Sequence, residues 1–164
     1  PDAVDTGITN FFSNLGDVLV LINDLLQLKF DQAIATSARI VFNSTFGLFG
    51  LMDVATDFGI PKHDEDFGQT LGYWGTGSGP FLVLPLFGPS SVRDGFGLGV
   101  DSVVMSTLQK QLDMKMYEEI AIGVLRTIDT RSNISFRYYE TGSPFEYNMV
   151  RGLWLNKRQM DIEK

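Results

Sequence analysis

Three short segments contain residues whose types and spacing could do chemistry. They are His63 with the acidic residues that follow it, the glycine-rich run Gly75–Gly79, and the pair Arg93–Asp94. The chain has no cysteine, so it has neither a thiol nucleophile nor a disulfide. A serine triad would have to use His63, the only histidine, and no Gly-x-Ser-x-Gly elbow supplies the serine. The sequence therefore predicts a protein that is not an enzyme.

The first two segments also lack the spacing of a metal or phosphate site. His63, Asp64, Glu65 and Asp66 are consecutive, so their side chains diverge, and no EF-hand spacing is present. We interpret them as a charged loop that leads into a helix N-terminus. The run Gly75-Thr76-Gly77-Ser78-Gly79 lacks the Lys-Ser/Thr of a P-loop and the order of a Rossmann turn. A structural turn is favoured, and neither a metal nor a cofactor is predicted.

Arg93 and Asp94 allow two interpretations. Arg93 follows an apolar stretch and could bind a lipid phosphate through two parallel hydrogen bonds. Alternatively, it forms a structural ion pair with a carboxylate such as Asp53 or Asp66. The sequence Ser91-Val92-Arg93-Asp94 has the form of a capping box, with Asp in the place of Glu, and predicts that a helix begins there.

The composition restricts the class of protein further. The chain has 164 residues, 44% of them apolar, including 13 Phe, and a net charge of −7. This charge argues against nucleic acid as a partner, because phosphate backbones attract basic surfaces. No apolar run reaches the roughly 18 residues of a spanning helix, and the longest candidate, Gly79–Pro89, contains Pro85. The length is typical of a single domain, which we predict over residues 1–164.

Periodicity predicts helices along most of the chain. Apolar residues from Val4 to Leu26 recur every three or four positions, while Asp17 and Asp24 fall off this stripe. A second helix from Lys29 would complete an antiparallel hairpin. Further helices are predicted near residues 51–57, 64–73, 91–105, 117–135 and 143–159. No hairpin of alternating strands is predicted, so the fold class is all-α, with irregular apolar connections rich in Gly and Pro.

Glycines at two-residue spacing mark one predicted helix as unusual. Gly95, Gly97 and Gly99 lie in the helix that begins near Ser91. They weaken the helix but leave part of its surface without side chains. We therefore expect another backbone to approach closely there.

Two long segments carry a family resemblance. They are FNSTFGLFGLMDVATDFGIP (42–61) and EDFGQTLGYWGTGSGPFLVLPLFGPSSVRD (65–94), the second with six glycines and three prolines in an apolar setting. They resemble the signature of the MlaA (VacJ) family of outer-membrane lipoproteins. The first two helices and the segments DTRSN (129–133) and SPFEYNMVRGLW (143–154) also resemble the family, so the resemblance covers nearly the whole chain.

The resemblance implies a function and a location. Family members are mostly helical, ring-shaped proteins within the inner leaflet of the outer membrane of Gram-negative bacteria. They associate with trimeric porins, take phospholipids from the outer leaflet through an amphipathic channel, and pass them to a soluble periplasmic carrier. They are not enzymes. The family begins with a signal peptide, a lipidated cysteine and a helical segment with an Asn-Arg motif, which these 164 residues lack. We therefore expect a fragment of a lipid-anchored protein.

Within this family the segment 75–88 is expected to shape the channel. Its path would be set by five glycines, Gly68, Gly72, Gly75, Gly77 and Gly79, and its apolar surface formed by Phe81, Leu82, Leu84, Leu86 and Phe87. Arg93, Asp94 and Asp53 are the candidates for headgroup binding or a structural ion pair. Two rival functions stay open: a scaffold that only docks porins or other envelope proteins, and a phospholipid hydrolase.

Overall fold

The described part of the chain forms two compact units. The computed structural model describes residues 2–85, 87–111, 123, 125, 128 and 146–164. Unit 1 covers Pro1–Asp66 and unit 2 covers Phe67–Lys164. Both are mostly helical, which confirms the predicted fold class. The single domain over 1–164 and the ring arrangement stay predictions.

Unit 1 is built on a helical hairpin. Helix α1 (Asp2–Leu26) and helix α2 (Phe30–Thr45) are joined by a tight link, and a short helix α3 (Val54–Asp57) follows. Leu28 in the link has a left-handed backbone with φ of 59°. The amide of Lys29 donates to the carbonyl of Asp24 at 2.9 Å and closes the turn. The predicted antiparallel hairpin is therefore confirmed.

The interior of unit 1 contains many polar side chains. Of the described residues in its helices, the buried polar ones include Asp17, Asn23, Asp24, Thr36, Arg39 and Asn43. Apolar side chains such as Phe12, Leu19 and Ala33 are buried with them. Many large apolar side chains of the same helices are exposed instead, namely Val4, Ile8, Leu25, Leu26, Phe30, Ile34 and Val41. The hairpin thus reverses the usual arrangement of an apolar core and a polar surface.

The loop after α2 adds to this apolar surface. Leu48 and Phe49 both have left-handed backbones, with φ of 52° and 60°, before Gly50 at 91°. Side chains with a Cβ rarely adopt this conformation, so the loop path is locally strained. Phe49 is 81% exposed. The loop projects five large apolar side chains, Phe46, Leu48, Phe49, Leu51 and Met52.

Unit 2 contains a small hairpin that we did not predict. Helix α4 (Phe67–Tyr73) is followed by strand β1 (Phe81–Leu84) and strand β2 (Gly88–Ser91). The strands pair antiparallel, with Phe81 opposite Ser91 and Leu84 opposite Gly88. The segment is extended, as expected, but the expected absence of a strand pair was wrong. The signal was weak because the apolar run FLVL does not alternate with polar residues.

Two longer helices follow in unit 2. Helix α5 (Val92–Gln111) extends beyond the expected end at Met105, and helix α6 comprises Glu146–Glu163. The predicted cap of α5 is confirmed: the amide of Asp94 donates to Ser91 Oγ at 3.1 Å. The Ser91 hydroxyl in turn donates to Asp94 Oδ2 at 2.6 Å. The two side chains therefore hold each other at the start of α5.

The expected close approach to α5 occurs at one glycine. A Cβ on Gly97 would overlap the backbone nitrogen of Gly68 in α4 and would lie 2.7 Å from its Cα. A Cβ on Gly99 would meet no atom within 4 Å, and a Cβ on Gly95 would make only ordinary contacts. Positions two apart on a helix point in nearly opposite directions, so one neighbour meets only one of the three.

Two predicted features lie mainly outside the described residues. The helix over 117–135 is described only at Gly123, Leu125 and Ile128, which are helical. The predicted helix start at Ser143 and Pro144 is not among the described positions. Of the described helices, none is long and apolar enough to cross a membrane.

Candidate functional site

Two arginines meet at one buried carboxylate in unit 2. Arg93 Nε donates to Asp94 Oδ1 at 3.2 Å, and its Nη2 donates to Oδ1 at 3.1 Å and Oδ2 at 3.3 Å. Arg158 of α6 donates through Nη2 to the same Asp94 Oδ1 at 3.0 Å. Arg93 and Asp94 are both 7% exposed. The carboxylate therefore holds two guanidinium groups side by side.

Glycines on α4 make room for this cluster. A Cβ on Gly68 would lie 2.5 Å from Asp94 Oδ1 and 3.0 Å from Arg158 Nη2. A Cβ on Gly72 would lie 2.9 Å from Arg93 Nη1 and 2.5 Å from the end of Ile162. Any larger residue at either position would push charged groups apart. These two glycines are thus required by close packing against the arginine cluster.

A cavity of about 480 Å³ opens beside the two guanidinium groups. Helix α4 and the turn after it contribute Gly72, Gly75 and Gly77, with Thr76 and Ser78 between and beside them. Helix α6 contributes polar Asn156 and Gln159 and apolar Leu155 and Ile162, together with Arg158. The cavity is therefore amphipathic, with cationic, hydrogen-bonding and apolar parts.

The five predicted glycines occupy different positions, and only some of them line the cavity. Gly72, Gly75 and Gly77 line the cavity. Gly68 packs under Asp94, and Gly79, with φ of 67°, lies just before β1. Only Gly75 and Gly79 of this set have left-handed backbones.

The predicted apolar residues lie in and around the β-hairpin. The ring of Phe81 packs edge-on against Tyr147 and Trp154, at centroid distances of 5.7 and 5.8 Å. Leu84 is half-buried, whereas Leu82 and Phe87 are exposed. Leu86 lies outside the described residues. Phe81 therefore anchors the hairpin to α6, and Leu82 and Phe87 supply exposed apolar surface.

The two interpretations of Arg93 are compatible in this geometry. Arg93 pairs with its neighbour Asp94, while its Nη1 donates to the carbonyl of Thr76 at 3.3 Å at the cavity. Asp53, one of the carboxylates we considered as its partner, lies in unit 1 and pairs with Arg39 at 2.9 Å. Whether Arg93 binds a headgroup stays a prediction.

Sequence reasoning missed the contribution of α6. Leu155, Arg158, Gln159 and Ile162 recur at spacings of three, one and three, which places them on one helix face. This mixed face was a usable signal. The partner of that face could not be found, because Arg158 is 64 positions from Asp94 in the chain.

Unit 1 contains a second charged cluster, centred on Arg39. Its Nη2 donates to Asp53 Oδ1 at 2.9 Å, and its Nη1 donates to the carbonyl of Ile60 at 2.6 Å. Its Nε lies 3.4 Å from Asp17 Oδ2. Asp53 also caps α3 and accepts from Asn43 Nδ2 at 3.0 Å. Arg39 is 1% exposed, so it ties α1, α2 and the α3 region together inside the unit.

The pKa values of the two carboxylates in this cluster, Asp17 and Asp53, shift in opposite directions. Burial raises the pKa of Asp17, and Lys62 and Arg39 offset this only in part. Burial also acts to raise the pKa of Asp53, but hydrogen bonds from Thr56, Asn43 and Arg39 outweigh it and hold the pKa below its ordinary value. The arrangement therefore favours the ionised form at Asp53 and disfavours it at Asp17.

These directions predict different pH responses for two variants. The lowered pKa of Asp53 means that its carboxylate stabilises the fold above the ordinary pKa of 3.8, and that this stability is lost as pH falls through the lowered value. The raised pKa of Asp17 means the reverse: its stabilising contribution is present below pH 3.8 and is lost as pH rises through the raised value. We expect Asp53→Asn to lower the free energy of unfolding at pH 7 by about 1–3 kcal/mol.

Asp17→Asn is the matched control for this prediction. It should cost less stability at pH 7 than Asp53→Asn, because it removes a carboxylate whose ionised form is disfavoured. Denaturant unfolding followed by circular dichroism between pH 3 and pH 7 measures both. The deficit of Asp53→Asn should shrink toward the acidic end. A larger loss for Asp17→Asn at pH 7 would contradict the assignment.

The acidic segment around His63 is structural in this geometry. His63 Nε2 lies 3.0 Å from Asp24 Oδ1. Glu65 is buried and accepts from Lys29 Nζ at 2.8 Å, whereas Asp64 is exposed. Within the described ranges, no group of three or more His, Asp or Glu side chains is placed to hold a metal ion.

A helical scaffold with an amphipathic cavity in unit 2 and many exposed apolar side chains in unit 1 is the class of protein that these features define. The profile of the MlaA lipoprotein family matches residues 1–161. The chain therefore belongs to the MlaA lipoprotein family.

Individual relatives agree with this assignment. A Rickettsia bellii protein is 37% identical over 166 residues, which cover 99% of this chain and 64% of that protein. A Rickettsia felis protein is 34% identical over 137 residues, or 84% of this chain and 51% of that protein. The intermembrane phospholipid transport system lipoprotein MlaA of Escherichia coli K12 is 35% identical over 101 residues, 59% of this chain and 40% of its own length. The chain thus spans about half the length of several relatives it matches.

A solved structure matches almost the whole chain. It comes from work on the structural basis for maintenance of bacterial outer membrane lipid asymmetry. The match has a TM-score of 0.77 at 26% sequence identity and covers 99% of this chain and 81% of the other. The fold is therefore shared with that protein.

Proposed function

We propose that this protein serves in phospholipid transport at the outer membrane of Gram-negative bacteria. It would take phospholipids that have reached the outer leaflet, pass them through an amphipathic channel, and deliver them to a soluble periplasmic carrier. In doing so it would maintain lipid asymmetry without acting as an enzyme. The observation that carries the proposal is the reversed polarity of unit 1 in a chain of the MlaA family.

The reversed polarity supports a position within one leaflet. Apolar side chains such as Phe30, Ile34 and Val41 would contact acyl chains, whereas in water they would remain poorly solvated. Buried polar side chains such as Asp24, Thr36 and Asn43 have hydrogen-bond partners inside the protein, which suits polar structure at membrane depth. The anchor would be the lipidated cysteine of the full-length protein, on the periplasmic side of the membrane.

The cavity of unit 2 supports passage of an amphipathic molecule. Its wall has apolar side chains for the acyl region and polar groups for the headgroup. The glycines at 72, 75 and 77 place no side chain on their own part of the wall. The exposed side chains of Leu82 and Phe87 would continue the apolar surface. The energy for transport would come from other components, and trimeric porins would hold the protein in the membrane.

A bulky residue at Gly77 tests this proposal. Gly77 lines the cavity, yet no atom lies within 4 Å of a Cβ built there. We therefore expect Gly77→Phe to fold and insert normally but to obstruct the cavity. Cells carrying it should expose phospholipid on their surface as a deletion strain does, measured with an impermeant amine-reactive label for phosphatidylethanolamine.

Gly99→Phe is the matched control. Gly99 is exposed on α5, has open space around it and is not part of the cavity wall. This variant should retain wild-type surface labelling at equal protein level on immunoblots. Wild-type labelling for Gly77→Phe at normal protein level would count against transport through this cavity.

A scaffold that docks porins is the alternative function. The exposed apolar residues Phe49, Leu82 and Phe87 would suit a protein partner as well as lipid. Photocrosslinking probes at these positions and at Gly77 separate the two functions. Phospholipid adducts at Gly77 support transport, and adducts with protein alone at every position support the scaffold.

A further inference from the structure

We infer that the cavity of unit 2 is a binding site for the phosphodiester group of a phospholipid, with Arg93 and Arg158 as its cationic ligands. The inference rests on the proposed function, because it names the part of the transported lipid that this cavity recognises. Both guanidinium groups line the cavity. Of the described residues that line it, none is Asp or Glu. The described lining therefore carries two cationic groups, of which the adjacent Asp94 offsets one charge, and it favours an anion.

Arg93 is held in place before any ligand binds. Its Nε and Nη2 are engaged by Asp94, and its Nη1 donates to the carbonyl of Thr76. Gly72 packs closely against its Nη1, which would lie 2.9 Å from a Cβ at that position, and both residues line the cavity. Asp94 is thus a positioning residue. A guanidinium fixed in this way loses little conformational entropy when it binds a phosphate.

Arg158 brings the second guanidinium to the same cavity. Its Nη2 is held at 3.0 Å from Asp94 Oδ1, and its side chain is 14% exposed. Because both arginines share Asp94, their positive charges lie next to each other. Two adjacent guanidinium groups match the two non-bridging oxygens of a phosphodiester better than they match a neutral headgroup.

The rest of the wall favours a lipid phosphate over a free one. The cavity of about 480 Å³ has the size of a small-ligand site, larger than one phosphate needs. Leu155 and Ile162 provide an apolar side for the first carbons of acyl chains. Ser78 and Asn156 provide hydrogen-bonding groups for the polar substituent of the headgroup.

Calorimetric titration of the purified protein in an amphipathic polymer tests the site. The probes are dihexanoylphosphatidylglycerol, dihexanoylglycerol with the same tails but no phosphate, and inorganic phosphate. We expect the wild type to bind the phosphatidylglycerol more tightly than either other probe. Arg158→Met should weaken that binding about tenfold or more, because a charge-assisted pair is lost. Its binding of dihexanoylglycerol should not change.

Arg151→Met is the matched control, since Arg151 is exposed on the same helix and does not line the cavity. It should bind as the wild type does. Gly77→Phe is an independent variant that leaves both arginines in place and should also lose binding. It keeps the site testable if Arg158→Met does not fold. Equal binding by the wild type and either Arg158→Met or Gly77→Phe, with circular dichroism unchanged, overturns the site.

Two further outcomes separate this inference from the proposed function. Inorganic phosphate bound as tightly as phosphatidylglycerol overturns the lipid assignment, because the apolar wall would then add nothing. Loss of lipid binding in Arg158→Met with a wild-type response in Arg151→Met supports it. The surface-labelling experiment with Gly77→Phe tests transport in cells. A titration that shows no lipid binding would therefore overturn the binding site without deciding whether the protein transports phospholipid.

Discussion

Replacing Gly97 by alanine should destabilise unit 2, whereas the same change at Gly99 should not. The new Cβ of Gly97→Ala would overlap the backbone of Gly68, which cannot turn aside as a side chain can. Helix α4 would have to move away from α5, at a cost of about 1–3 kcal/mol or more. At Gly99 the space is open, and alanine should stabilise the helix by about 0.5–1 kcal/mol.

The two alanine variants differ in sign, which makes the comparison sharp. Denaturant unfolding of both, followed by circular dichroism under one set of conditions, gives the difference in free energy of unfolding. Since Gly68 also packs against Asp94, Gly97→Ala should in addition weaken binding of dihexanoylphosphatidylglycerol. Equal stabilities for the two variants would mean that α4 and α5 do not touch at Gly97.

Replacing Arg39 by methionine should cost about 3–5 kcal/mol of unit 1 stability, the range for breaking a buried ion pair. Methionine fills similar space but leaves Asp53 without its guanidinium partner and Asp17 without one of its two cations. It also removes the donor to the carbonyl of Ile60. The loss is costly at Asp17, which is buried where water does not replace the partner, whereas Asp53 is partly exposed and contributes less.

Lys62→Met is the matched control for this effect. Lys62 lies 3.3 Å from Asp17 Oδ1, but its side chain is 31% exposed, so its loss should cost about 1 kcal/mol or less. Arg39→Lys should fall between the two, since a single ammonium cannot reach both carboxylates and the carbonyl. Thermal unfolding in one detergent ranks the three variants. A cost for Arg39→Met no larger than for Lys62→Met would contradict the central role of Arg39.

Local sequence signals predicted most of the helices but not their partners. The three-and-four spacing from Val4 to Leu26 found α1, and Ser91 with Asp94 found the start of α5. These signals act within a few residues. The pairing of β1 with β2 depends on a hairpin whose strands do not alternate, and propensity at Phe81–Leu84 could not reveal it.

For the same reason, only part of the candidate site could be predicted from the sequence. Gly72, Gly75, Gly77 and Arg93 stand in one continuous segment of the chain and could be grouped by proximity along it. Arg158 comes from a distant helix, and nothing in its local sequence names Asp94 as its partner. Long-range packing decides such contacts, and periodicity shows only that a face exists.

The least predictable feature was which face of the α1–α2 hairpin is buried. Periodicity distinguishes two faces of a helix, but it does not say which solvent covers the apolar one. In unit 1 the residues off the stripe, Asp17 and Asp24, are those inside. Their burial depends on partners such as Arg39 and Thr36, which lie on the other helix.

The polar interior of the hairpin affects the medium in which unit 1 is most stable against unfolding. Attraction between Arg39 and its carboxylates grows as the surrounding dielectric constant falls. Acyl chains packed against Phe30, Ile34 and Val41 would exclude water from the interface between α1 and α2. The bilayer would then act as an outer insulating layer for the charges inside. Unit 1 is therefore expected to unfold at a higher temperature in lipid nanodiscs than in micelles, which admit more water.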